Sequence, residues 1–169
     1  KLDLGIAEAF IKINLFNSDP KFGNGFRGEA GITLARVSCA MEAGFVIQFG
    51  KVDGYRYWYF DGRYKNMSGI PLGNSGISLF GFGGGGYYNM KAIGPDKSES
   101  KRFNELVEPS PVSYTNPAVS ISDFTYEPKK NNRGFRAMAV IGSTVSSKSW
   151  NVESNLLIDW EKGKGINNV

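Results

Sequence analysis

Histidine is absent from the 169 residues and cysteine occurs once, as Cys39. Without histidine there is no Ser-His-Asp or Cys-His centre and no imidazole metal ligand. One cysteine forms no internal disulfide and no thiolate zinc or iron-sulfur cage, and inside the apolar alternation Val37-Ser38-Cys39-Ala40-Met41 it reads as a buried, inert thiol. Long hydrophobic runs are missing too. No stretch approaches the roughly 18 to 20 apolar residues of a spanning helix, so no membrane-spanning helix is expected. Lys1-Leu2-Asp3-Leu4-Gly5 lacks an initiator Met and a basic-then-apolar leader, and the chain reads as a mature or excised piece.

Carboxylates are the chemistry left over. Asp53 and Asp61 flank one segment, and Asp3, Asp19, Asp96, Asp123 and Asp159 are scattered, with no Asp-x-Asp-x-Asp spacing for Ca²⁺. A glycosidase-like pair would need two of them to meet in space. The expectation is a non-enzyme with no catalytic residues, no metal and no cofactor. Gly81-Phe82-Gly83-Gly84-Gly85-Gly86 contains a formal Gly-x-Gly-x-x-Gly match, but a phosphate loop needs a helix directly after it, and Tyr87-Tyr88-Asn89-Met90 is strand-like. These glycines read instead as places where a strand bends or another backbone packs closely.

The formal net charge of +4 comes from dispersed lysines and arginines, adjacent only at Lys101-Arg102 and Lys129-Lys130. Without a basic stripe or helix, nucleic acid is not an expected partner, while anionic glycans or a membrane surface remain compatible.

Period-two alternation fills most of the chain. Ala9 to Leu15 has apolar odd positions, and from Phe26 onward Phe26, Ala30, Ile32 and Leu34 share one face while Arg27, Glu29 and Thr33 share the other. Met41, Ala43, Phe45, Ile47 and Phe49 continue the pattern, and Asp53-Gly54 marks a tight turn. Further strands are expected at Ile77–Phe82, at Val119–Ser122, through Phe135, Ala137, Ala139 and Ile141, and from Trp150 to Trp160, with turns at 66–76 and at Lys129–Arg133. Trp150 and Trp160, ten residues apart, read as the ends of a core face. Polar, proline-bearing residues 94–117 read as a long loop, with a short helical turn around Phe103–Val107. The prediction is one all-β domain over 1–169: strand-rich 1–93, loop 94–117, strand-rich 118–169. Its eight to ten antiparallel strands would form a Gly-rich sandwich or a strongly bent sheet, a small barrel being a further layout. An outer-membrane barrel is disfavoured on the ground that Asp61, Arg63 and Lys65 follow Tyr55, Tyr57 and Tyr59 on one face.

Tyr55, Tyr57, Trp58 and Tyr59 form the densest aromatic constellation, and they are the candidate ligand-binding residues. Exposed together they would stack on sugar rings; otherwise such alternation is core and cross-strand packing.

Lys51-Val52-Asp53-Gly54-Tyr55-Arg56-Tyr57-Trp58-Tyr59-Phe60-Asp61, then Gly69-Ile70-Pro71-Leu72 and Gly81 to Met90, resembles a segment of very large surface or secreted proteins of Bacteroidetes-type bacteria. The resemblance covers about a quarter of the chain and implies an extracellular or cell-envelope location within a modular protein; it brings no catalytic residues. The expected role is therefore a structural or adhesive module whose partners are neighbouring modules or another envelope protein. The alternatives are a carbohydrate-binding module taking glycan on the aromatic platform, and a lipid-handling β-groove with one uniformly apolar, open sheet face.

Overall fold

The computed structural model describes residues 2–3, 7–36, 39–94, 124–145 and 150–168. The expected 94–117 loop, the helical turn near Phe103 and the Val119–Ser122 strand fall almost wholly outside these residues, as does the Cys39 side chain. The described chain is all-β, in nine strands: β1 Leu2–Asp3, β2 Ala7–Asp19, β3 Gly23–Arg36, β4 Cys39–Val52, β5 Tyr55–Pro71, β6 Ile77–Ile93, β7 Thr125–Ser143, β8 Asn151–Glu161 and β9 Gly165–Asn168. They form a single sheet in the order β1 to β9, each strand antiparallel to the next. A single antiparallel sheet is consistent with the expected sandwich or strongly bent sheet.

Local chemistry explains the joints. Asp53 and Gly54 both take positive φ, 48° and 81°, the left-handed pair that a two-residue turn needs to match strand twist. The β5–β6 turn is shorter than expected: β5 runs on to Pro71 through a register shift between Lys65 and Ile70, and the turn proper is Leu72–Gly76. Lys129–Arg133 is not a turn but part of β7. There the register jumps from Tyr88↔Arg133 to Met90↔Pro128, leaving extra β7 residues opposite Asn89. Asn89 and Asn131 sit at φ 52° and 68°, where asparagine is tolerated, and the Asn131 N–H donates to Asn89 Oδ1 at 2.8 Å. Asn132 Nδ2 closes the irregularity by donating to the Met90 carbonyl at 2.7 Å.

Because side chains alternate, the register sorts the whole sheet into two faces. The inner face holds Tyr57, Tyr59, Tyr87, Met90, Tyr126, Phe22 and Val46 as its apolar cluster, together with buried Arg27, Glu29, Gln48, Asp61, Asn132, Arg136 and Asp159. A second small cluster, Phe80, Met138 and Val140, fills the same face nearer the β5–β6 turn. The outer face is where most of the large aliphatic and aromatic side chains are.

Candidate functional site: an apolar wall around a polar interior

The inner face is built by register. Asn14, Arg27, Gln48, Tyr59, Tyr87, Gly134 and Asp159 lie in one continuous row across β2 to β8, and Lys12, Glu29, Val46, Asp61, Gly85, Arg136 and Leu157 in the next. Arg27 is only 2% exposed; it pairs with Glu29, donates to the Tyr59 hydroxyl, and reaches Gln48 Oε1 at 3.3 Å. Arg136 Nη2 donates to Asp61 Oδ1 at 2.7 Å, with both side chains completely buried. Asp159 accepts from Asn132 Nδ2 at 2.6 Å and from the Tyr87 hydroxyl at 3.3 Å. Arg136 also lies 4.6 Å over the Phe124 ring.

Glycine makes these interior contacts possible. The Asp61–Arg136 pair spans β6 at Gly85, where a β-carbon would come within 3.0 Å of the Tyr126 hydroxyl and 3.1 Å of Asp61 Oδ1. One row on, the Tyr87 ring lies over Gly134, filling the space a β-carbon there would need, and so reaches Asp159 on the far strand. Tyr59 stacks on Tyr126 at 4.3 Å between ring centres, although β6 separates their strands. Burial holds these hydroxyls protonated. Desolvation pushes Tyr57 up to about 12, against a smaller opposing effect of the bond to Gln48. Tyr59, Tyr87 and Tyr126 move further in the same direction, desolvation leading in each case.

The outer face has the opposite chemistry. One unbroken row runs Leu15, Phe26, Phe49, Trp58, Tyr88, Arg133, Trp160, Ile166 from β2 to β9. Its rings stack along the row, Phe26 on Phe49 at 6.2 Å and Trp58 on Tyr88 at 6.4 Å, and the Arg133 guanidinium lies 5.8 Å over Trp160. The next rows are Ile13, Gly28, Ile47, Phe60, Gly86, Phe135, Ile158, then Ile11, Ala30, Phe45, Gly62, Gly84, Ala137, Leu156, then Ala9, Ile32, Ala43, Tyr64, Phe82, Ala139, Ser154. These three rows carry no charge. Ile11 is 80% exposed, Leu15 77% and Phe82 50%, while Asp61 is 0%. A shallow hollow of about 310 Å³ lies near the middle of this face, where Gly62 and Gly84 adjoin Tyr64 and Phe82. From Phe26 to Leu34 the apolar positions extend about 27 Å along β3 at the usual rise per residue.

The four aromatic residues singled out in the sequence are divided by this geometry. Tyr57 and Tyr59 are buried on the inner face, with Tyr55 on the same side at the rim, while Trp58 faces outward among rings from neighbouring strands. They do not share one surface. Asp61, Arg63 and Lys65 do share a face, as the alternation indicated, but it is the inner one. Their charges therefore do not interrupt the outer face, which is the face a lipid-contacting wall would use. Trp150 and Trp160 are not core ends: Trp150 is exposed and Trp160 belongs to the outer row. The sequence shows Arg27 on a polar strand face and Asp159 as a scattered carboxylate and gives Gln48 and Arg136 no role; that the four occupy matched rows is visible only in the register.

No family model, no curated protein and no solved structure matches the chain. Among the described residues no helix is long and apolar enough to cross a membrane, which says nothing of strands.

Proposed function

We propose that this chain forms the wall of a membrane-embedded β-barrel of a cell envelope, with its outer face against lipid. The observation that carries the reading is the inversion of burial across one sheet: paired and hydrogen-bonded Arg27, Gln48, Asp61 and Arg136 are enclosed, whereas Ile11, Ile13, Leu15, Phe45, Phe49 and Phe82 face out. In water such a face costs roughly 25 cal/mol for each Å² left exposed, and a contiguous patch of this extent is exceptional for a soluble monomer. In a bilayer the cost disappears. Barrel strands that alternate apolar outward and polar inward, with aromatic residues concentrated in a belt and an apolar band about 25 Å tall, are what a hydrocarbon slab selects. The expected role in the envelope is structural, as anchor or wall, and a filled interior of buried side chains fits a small barrel better than a wide aqueous channel.

Trp58 is the reporter. In a variant keeping Trp58 as the sole tryptophan, with Trp150→Phe and Trp160→Phe, the reconstituted protein should be quenched by lipids brominated on the acyl chain and shielded from aqueous iodide. Quenching by iodide with no response to brominated lipid would overturn the proposal.

A further inference from the structure

One border of the apolar face carries a group of cations. Next to the aromatic row, on the side of the Asp53-Gly54 turn, Lys51 on β4 and Arg56 on β5 are direct cross-strand partners, and both point outward and are exposed. Two strands further on, Arg133 lies within the row itself, exposed and held over Trp160. Past the irregularity at Asn89, Lys91 is exposed as well. None of these four has an ion pair among the described residues. The acids nearby are Asp53, in the turn between Lys51 and Arg56, Glu127, which stands opposite Lys91 but is bonded to Lys21, and Glu161, which follows Trp160 and is paired with Lys129 and Lys164. At the other border the row through Leu34, Met41, Ile141 and Val152 is uncharged, and Arg36 is the next position of the same parity along β3.

We infer that this basic border binds the phosphates of anionic lipid headgroups. The inference rests on the membrane-embedded reading above and assigns one rim of the wall a partner. Cations placed just beyond an aromatic belt stand at headgroup depth, where an anionic lipid offers a charge-assisted hydrogen bond that a zwitterionic one largely satisfies within itself. Arg133 is additionally pre-positioned, since its stacking on Trp160 fixes the guanidinium plane and leaves its edge free to donate.

The test is native mass spectrometry of the full chain released from micelles containing equal amounts of phosphatidylglycerol and phosphatidylcholine. The wild type should retain phosphatidylglycerol in preference, and that preference should fall by roughly fivefold for each cation removed in the series Lys51→Gln, Arg56→Gln, Arg133→Gln. A variant with Arg56→Lys should keep most of it. Equal retention of the two lipids by the wild type, or an unchanged preference in the triple variant, would overturn the inference. Displacement of the lipid by excess inorganic phosphate would do so too, since it would mean a simple anion site. Failure of the Trp58 quenching experiment would instead strike the membrane reading itself, so the two failures are distinguishable.

Discussion

Asp61 on β5 and Arg136 on β7 meet at 2.7 Å although β6 runs between them, and the residue of β6 in register with both is Gly85. Charge and clearance are thus specified at three positions far apart in sequence. Removing one charge leaves the other buried without compensation, which costs far more than removing both. Asp61→Leu should destabilise the folded state by about 3–5 kcal/mol, while Asp61→Leu with Arg136→Met should recover most of that loss. Urea unfolding of the protein in micelles gives the double-mutant cycle. Additive costs would show that the two side chains do not act as a pair.

Gly134 lies under a ring and against a backbone carbonyl, whereas Gly62 meets neighbours only at ordinary contact distance. Gly134→Ala puts a methyl group against both the Tyr87 hydroxyl and the Ile158 carbonyl, so the ring and the adjoining strand must shift and the bond to Asp159 is lost; about 1–3 kcal/mol of destabilisation is expected. Gly62→Ala, on the outer face, meets its nearest atoms at an ordinary 3.6 Å and should change stability by no more than about 0.5 kcal/mol. Equal effects of the two substitutions in the same unfolding assay would remove the special role given to Gly134.

Alkaline pH should test the interior tyrosines. Tyr57, Tyr59, Tyr87 and Tyr126 all have folded pKa values raised above tyrosine's ordinary value of 10.0, because burial disfavours the phenolate. A raised folded pKa gives stability that is fully present below the unfolded value and is lost as pH climbs through the folded one. Stability should therefore be flat across neutral pH and decline from about pH 10 upward, with Tyr57 contributing its loss between 10.0 and about 12. Tyrosinate absorbance should show a late-titrating group of tyrosines that ionises only as near-UV circular dichroism collapses. If all the tyrosines titrate together near their ordinary value while the fold persists, the buried assignment fails.

Much of the strand framework was legible from alternation alone. The two faces of β3, Phe26, Ala30, Ile32 and Leu34 against Arg27, Glu29 and Thr33, are those the pattern indicates, and Asp53-Gly54 makes the expected turn. Period two says that the faces differ, however, and not which of them is enclosed. Reading apolar as inside is sound in water, but here Arg27 is enclosed and Phe49 is not. That choice depends on where partners fall: Arg27 is enclosed with Glu29 on its own strand and with Gln48 and Tyr59 from the next two, a fact of register. The bend at Asn89 and Asn131 was equally hidden, since it is set by one asparagine side chain accepting from the backbone of another across β6 and β7. Tyr57, Trp58 and Tyr59 show the limit most simply, because three neighbours in sequence belong to two environments.

The simple meander also governs how such a wall can be completed. Direction reverses at every step from β2 to β9, so β2 and β8 point the same way and neither can be the other's antiparallel partner. Any all-antiparallel ring passing through both must place an odd number of strands in the interval between β8 and β2. β9, hydrogen-bonded to β8 from Asp159 to Glu161, occupies the first of those places. The parity of the ring is therefore even whatever its circumference, as a cylinder of up-and-down strands requires.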